Sequence, residues 1–230
     1  MAKNGYPENV YVHGNGFVQI DLGGRPETRV HIWTRGLWQL CQNVNTQIHD
    51  HRFGFVSAVL KGALVNQLIE PFPDLNGHYR KWQAEGERTE TGNRRLAPIG
   101  NLHTLRPLAP DHVVGAGNIY SMPPAMFHRS LPLTPHVVTL MTKTLVIPED
   151  QFQASIMCEA AKEPDQAWDR RSMPWTQLMH EHILPALAGT PFDVQDPAVD
   201  IFRWDDQASA GVDYSALGNQ MSIVTRKDAM

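Results

Sequence analysis

Three histidines are the residues of this chain whose spacing could do chemistry. His49 and His51 are separated by one residue in the segment Ile48-His49-Asp50-His51. Alternate side chains of a β-strand point to the same face, so a strand here would place both imidazoles side by side. Neutral imidazole binds divalent transition metals, at about 2.0–2.1 Å in the case of zinc. The pair is therefore a candidate for two ligands of one ion.

A second segment supplies the third histidine. The stretch Gly117–Arg129 reads as a strand that ends at Pro123-Pro124, followed by a turn and then His128. In an antiparallel barrel, a strand that is distant in sequence can bring such a histidine beside the first pair. Three imidazoles on one side of an ion leave open coordination positions on the other side, which catalysis needs. We therefore predict one divalent metal ion on His49, His51 and His128.

Short strands must position these histidines. Between Tyr11 and Pro148, β-branched and aromatic runs alternate with turns rich in Gly, Pro, Asn and Asp, and no helical period separates them. This pattern is typical of a sandwich or barrel. The predicted strands are Phe17–Leu22, Val30–Thr34, Trp38–Val44, Phe55–Leu60, Ala63–Glu70, His103–Pro107, Asn118–Met122 and Val137–Thr144.

The pattern changes after Pro148. Glu149–Lys162 carries apolar residues at a helical spacing, which predicts a helix. Trp175–Ala188 predicts a second helix, which Pro185 should kink or end. We expect residues 8–148 to form the barrel, and residues 149–230 to form a helical extension and an extended tail packed on it.

Both histidine segments resemble the two motifs of the cupin superfamily. The first motif, G…HxHxxxE…G, is similar to the stretch with His49, His51 and Gly62. The second, G-x5-P-x-G-x2-H, is similar to Gly117–His128, with Ala125 in place of its second glycine. The resemblance implies an all-β fold, the cupin double-stranded β-helix or jelly-roll barrel.

One departure from the cupin pattern concerns the metal. The usual glutamate ligand falls at Phe55, which leaves a set of three histidines. That set is similar to the thiol dioxygenases of the cysteine dioxygenase group, and the resemblance implies Fe(II), O₂ and a small thiol substrate. The Ser-x-His-x-Tyr relay of that group is not matched, because Met141 and Lys143 stand where its histidine and tyrosine would be. Thr139 could take the place of the serine.

Two further residues are candidates for catalysis. The resemblance implies that an arginine upstream of the first motif binds a substrate carboxylate, and Arg35 has that place. A guanidinium binds a carboxylate through two parallel hydrogen bonds, although a surface ion pair is the alternative. Tyr120 lies on the strand that leads to His128 and could position O₂ or substrate, or else be a core tyrosine.

Three functions remain open at this point. The first is a mononuclear non-haem iron dioxygenase that acts on a small anionic or thiol-containing substrate. The second is a cupin that uses Zn, Ni or Mn for lyase or isomerase chemistry. The third is a non-catalytic cupin that binds a metal or a ligand.

Composition excludes several other classes. The formal net charge of −4 and the pI near 6.2 argue against a nucleic-acid-binding surface. No run approaches the ~18 apolar residues of a membrane span, and the N-terminus has no apolar run typical of a secretory signal. Two cysteines far apart in sequence fit a reducing compartment, so we expect a cytoplasmic protein. A homodimer formed through edge strands is a further expectation.

Overall fold

A computed structural model describes residues 3–41, 47–88, 94–165 and 169–193 of the chain. These residues form two antiparallel sheets. The strands are β1 (Val10–His13), β2 (Phe17–Gly23), β3 (Thr28–Thr34), β4 (Ile48–His49), β5 (Phe53–Lys61), β6 (Ala63–Pro73), β7 (Tyr79–Arg88), β8 (Arg94–Pro107), β9 (His112–Gly115), β10 (Ile119–Met122), β11 (His128–Pro132), β12 (His136–Val146) and β13 (Ser155–Glu159).

Eight of these strands form a jelly roll. In the first sheet the order is β3-β12-β5-β10, and β1 and β2 extend it beyond β3. In the second sheet β4, β11, β6 and β9 follow one another. Two facing sheets whose neighbours come from distant parts of the chain are the double-sheet arrangement that cupins share with other jelly rolls. The predicted all-β jelly roll is confirmed.

The second sheet closes into a ring. Strand β6 pairs with β9 and β11 through its first half, and with β8 through Ile69–Pro73. Strands β8 and β7 form a long hairpin, β7 pairs with β13, and β13 pairs with β4. Since β4 also pairs with β11, the circuit β4-β11-β6-β8-β7-β13 returns to its start. Both histidine-bearing strands therefore have a neighbour on each side.

The C-terminal helical segment packs against the first sheet. It consists of α2 (Trp175–Leu178), a π-helical turn (Met179–Ile183) and α3 (Leu184–Leu187). A separate short helix, α1 (Arg35–Cys41), follows β3. Leu178, Ile183 and Leu187 are fully buried in one cluster with apolar residues of β1, β2 and β3. Lys61 Nζ donates to the carbonyl oxygens of Pro185 and Ala188 at 3.0 and 2.9 Å, which ties the end of this helix to β5. The predicted helix over Trp175–Ala188 is confirmed to within a residue.

Two sequence-based predictions about the elements are wrong. The predicted helix at Glu149–Lys162 contains the strand β13, which pairs with both β4 and β7. These ladders satisfy its backbone on both sides, which outweighs a weak local helical spacing. The predicted strand at Trp38–Val44 is instead the helix α1 as far as Cys41, and residues 42–44 lie outside the described ranges. Leu37 and Cys41, one turn apart, face the core.

Two other predictions fall at the limits of the description. The division of the chain at residue 148 stays a prediction, and β13 adds to the ring a strand from beyond that residue. The predicted tail lies mostly in residues 194–230, outside the described ranges. Within those ranges, every helix is too short or too polar to cross a membrane.

Candidate metal centre

The three histidines meet inside the jelly roll. His49 and His128 are directly paired residues of the adjacent strands β4 and β11, and His51 follows β4. The ring centroids of His49 lie 4.6 Å from those of His51 and of His128, and the last two are 5.2 Å apart. One ligand nitrogen from each ring lies within 4.8 Å of the other two. The structure thus brings together the residues that the sequence singled out, positioned to bind one divalent metal ion.

Backbone carbonyl groups orient two of the rings. The Nδ1 atom of His49 lies 2.9 Å from the carbonyl oxygen of Gln47, and that of His128 lies 2.9 Å from the carbonyl oxygen of Met126. A carbonyl oxygen only accepts, so Nδ1 donates in both rings and Nε2 keeps its lone pair. Hydrogen bonds of this kind fix the tautomer and the ring direction of metal-binding histidines. Both rings are therefore set for coordination through Nε2.

Burial keeps the three rings neutral. It lowers the pKa of His49, lowers that of His51 well below its usual range, and lowers that of His128 to about 3. His49 also disfavours a charge on His51 and His128, and His128 disfavours one on His51, since like charges at this distance repel. Neutral imidazole is the form that binds a metal ion, so no ligand needs to lose a proton near pH 7.

An aromatic ring occupies the place of the fourth cupin ligand. The centroid of Phe55 lies 6.0 Å from those of His51 and His128. Among the described residues, no carboxylate lines the cavity that contains the centre. The amide of Asn15, on the turn between β1 and β2, lies beside His49, with Nδ2 3.2 Å from Nδ1 and 3.4 Å from Nε2 of the ring. The centre is therefore built from neutral protein ligands.

The cavity around the centre is basic. Its volume is about 350 Å³, and it opens between the two sheets. Four cationic residues, Arg29, Arg52, Lys143 and Arg170, contribute to its wall. Glu27, which is not part of the lining, hydrogen-bonds Lys143 Nζ at 2.6 Å and also pairs with Arg29. Asp21 also pairs with Arg29, and Glu149 pairs with Arg52. None of these acids lines the cavity, so the charged side chains that face a ligand there are the cationic ones.

The two predicted catalytic residues have different positions. Tyr120, on β10, is buried and lines the cavity. Burial raises the pKa of its hydroxyl, against the effect of hydrogen bonding to Ser57 and Asn66, so the group keeps its proton at neutral pH. Arg35 is exposed and lies outside the lining. Strand β3 ends one residue earlier, and α1 turns its Leu37 face inward, which leaves Arg35 on the surface.

Sequence reasoning missed the cavity residues of β3. Arg29, His31 and Trp33 alternate along this strand, so all three share the face that lines the cavity. Arg29 lies opposite Met141 of β12, and Met141 and Lys143 line the cavity where the dioxygenase relay would be. A strand with charged or imidazole side chains at every second position was the available signal. This pattern does not indicate which face of the strand points into the cavity.

Comparison with known proteins adds little. No protein-family model and no curated protein matches the chain. Among solved structures, it is similar to an 11S globulin from Wrightia tinctoria, with a TM-score of 0.34 and 11% identity over 60% of this chain and 31% of that one. It is also similar to CapF in complex with 3-isopropenyl-tropolone, with a TM-score of 0.31 and 14% identity over 63% of this chain and 32% of that one. The chain thus spans about a third of each. The fold assignment rests on the strand order, and the metal centre rests on the three histidines.

Proposed function

We propose that this protein is a cupin-type mononuclear non-haem iron dioxygenase that acts on a small anionic or thiol-containing substrate. The observation that carries the proposal is the convergence of His49, His51 and His128 at a cavity whose wall is basic and, in the described ranges, free of carboxylates. Tyr120 and Arg29 are the proposed positioning groups in that cavity.

The three-histidine set fits a ferrous ion. Imidazole is a ligand that iron, nickel, copper and zinc accept. The three rings, from β4, the residues directly after it and β11, would occupy one side of the ion. No ligand carries a charge, so the centre would keep the full charge of the metal. A ferrous ion there would supply the electron transfer that activates O₂. An anionic substrate group would be attracted to this charge more strongly than to a centre with a carboxylate ligand, where the net charge would be lower.

Arg29 and Lys143 are suited to hold the anionic end of the substrate. They lie on β3 and β12, neighbouring strands of the first sheet, and both line the cavity. The Phe53 ring contacts both cations, with its centroid 5.8 Å from the Arg29 guanidinium carbon and 4.4 Å from Lys143 Nζ. This contact holds them against the wall. Because Arg35 is outside the cavity, Arg29 is our choice for the arginine that binds substrate.

The apolar part of the cavity would keep water from the reacting atoms. Phe17, Phe55 and Met141 belong to one buried cluster that reaches the metal centre. Tyr120 is part of the same cluster, and its protonated hydroxyl can donate a hydrogen bond to a bound substrate or to O₂. The chain thus supplies binding, orientation and exclusion of water, with proton donation at the Tyr120 oxygen.

Metal content and oxygen uptake test the proposal. Protein purified without added metal should contain iron, and anaerobic loading with Fe(II) followed by air should give O₂ uptake with at least one member of a panel of small thiols and carboxylic acids. Uptake at background with every compound would exclude a dioxygenase. Turnover with Zn, Ni or Mn and without O₂ would favour a lyase or isomerase, and saturable binding without turnover would favour a ligand-binding cupin.

A further inference from the structure

A second hollow lies behind the metal centre, on the outer side of the ring. It is a cleft of about 180 Å³ where β6 passes from its pairing with β11 to its pairing with β8. Ile48 and Arg129, which line it, are the chain neighbours of His49 and His128. Because side chains alternate across a strand, they point away from the metal and into the cleft. The proposed dioxygenase chemistry does not use this site.

One wall of the cleft is apolar. Ile48, Ile69 and Leu105 line it together with the ring of Tyr79. These side chains come from four strands of the ring and belong to the apolar cluster beneath β13. A wall of this kind favours a ligand with an apolar body.

The opposite wall carries Arg129 and Asp111, separated by the amide of Gln67, and a second cation, Arg106, whose guanidinium carbon lies 4.3 Å from the ring centroid of Phe72. The Oε1 atom of Gln67 accepts a hydrogen bond from Arg129 Nε, and its Nε2 atom donates to Asp111 Oδ2 at 2.8 Å. Arg129 and Asp111 are therefore held on either side of Gln67 instead of pairing with each other. Within the described ranges, Arg129 has no carboxylate partner and Asp111 no cationic one. The terminal N–H groups of Arg129 and the second oxygen of Asp111 remain for a ligand.

We propose that this cleft binds an α-amino acid with an apolar side chain. The carboxylate of such a zwitterion would bind Arg129, its ammonium group would bind Asp111, and its side chain would pack on Ile48, Ile69 and Leu105. An α-amino acid carries both charges on one carbon, which matches a cation and an anion separated by a single amide group. The cleft lies below the size of pockets for drug-sized ligands, which suits one small molecule.

Calorimetric titration of the full chain tests the proposal. The probes are L-leucine, its analogue without the amino group (4-methylpentanoic acid), its analogue without the carboxyl group (3-methylbutylamine), and glycine. Saturable binding is expected for L-leucine and should be roughly tenfold or more tighter than for any of the other three, because each lacks a charged hydrogen bond or the apolar contact. Binding should persist after chelation of metal, which separates this site from the proposed dioxygenase centre.

Three variants locate the binding. R129Q and D111N should each weaken leucine binding roughly tenfold or more, and D111N alters an exposed residue, so it serves if R129Q fails to fold. R80Q is the matched control, because Arg80 is exposed on β7 next to Tyr79 and does not line the cleft. The proposal is overturned if leucine does not bind, if 4-methylpentanoic acid binds equally well, or if leucine binding is unchanged in D111N.

Discussion

At the scale of single residues, the metal centre is oriented before any ion arrives. The carbonyl groups of Gln47 and Met126 hold two imidazoles with Nε2 unprotonated, and burial keeps the rings neutral. A site in this state needs neither a ring flip nor the loss of a proton to take up a metal. The geometry therefore belongs to the folded chain itself.

Replacement of His128 by alanine should abolish stoichiometric metal binding. The substitution removes one of three converging ligands, while the two sheets keep their core, so the circular dichroism spectrum should be that of the native fold. Metal content measured by mass spectrometry checks the result. H112A, at an exposed position of β9, is the control and should keep its metal. Full occupancy in H128A would show that the three ligands are misassigned.

Replacement of Arg29 by glutamine should raise the KM for an anionic substrate roughly ten- to hundredfold, because one charge-assisted hydrogen-bond pair is lost. R35Q, on the surface, should leave KM unchanged. Steady-state kinetics of the two variants with the same substrate distinguish the arginines. A KM that rises in R35Q and not in R29Q would return the substrate-binding role to Arg35.

His31 should make the metal-free protein less stable in acid. It is packed between Phe17 and Trp33 in the cavity wall, and burial lowers its pKa to about 3. Between pH 6.5 and 3 the unfolded chain therefore takes up a proton that the folded chain does not, and the free energy of unfolding falls as pH falls.

H31F lacks this proton uptake. Its free energy of unfolding should therefore change less steeply with pH than that of the wild type, by up to about 1.4 kcal/mol per pH unit. Urea unfolding at several pH values with a chelator present measures the difference. Equal slopes for the wild type and H31F would contradict the assignment.

At the scale of elements, β13 supports the strand that carries His49. The backbone of Asp50 donates to the carbonyl oxygen of Ser155 at 3.0 Å, and the Asp50 carboxylate accepts from the Ser155 amide. Met157, 2% exposed, packs against Ile48 and Phe127, which precede His49 and His128 in the chain. One strand thus supports both ligand-bearing segments from behind.

Replacement of Met157 by alanine should lower the free energy of unfolding by about 2–5 kcal/mol, the usual cost of truncating a large buried side chain. E159A, at the exposed end of the same strand, should change it by about 1 kcal/mol or less, since only a surface ion pair with Lys162 is lost. Chemical denaturation of the two variants makes the comparison. Similar losses would show that Met157 is not part of the support.

The sequence predicted those elements whose local residue pattern favours the same structure as their packing and pairing in the folded chain. The His-x-His spacing and Gly62 are local signals, and seven of the eight predicted strands coincide with strands of the structure. At β13 and α1, propensity differences of at most about 0.7 kcal/mol per residue were outweighed by packing and pairing with distant strands. Arg29 was missed for the same reason, because the pairing of β3 with β12 decides which face of β3 is inside.

At the scale of the whole molecule, charge and apolar surface are unevenly placed. The chain carries a net charge of −4, yet the wall of its cavity is basic, and a cavity of opposite sign concentrates the field on an anionic ligand.

Apolar side chains are exposed on β9 and β10, the outermost described strands of their sheets, where Val113 is 60% and Ile119 is 45% exposed. These neighbouring edges are the place where we predict a homodimer to form.

V113D should dissociate that dimer, because it introduces a charge into an apolar contact between edges. L75D is the matched control, since Leu75 is also exposed but lies in the turn between β6 and β7. Sedimentation equilibrium should give a dimer for the wild type and L75D, and a monomer for V113D. A monomeric wild-type protein would contradict the prediction.

The closed ring of six strands has a consequence for the register of β4. A slip of one residue would turn His49 into the rear cleft and place Ile48 at the metal centre, because side chains alternate across a strand. An edge strand can slip by breaking one ladder. In this circuit β4 would have to break its pairing with β11 and with β13 together. Because β4 is paired on both sides, its register is fixed, and with it the positions of the metal ligands.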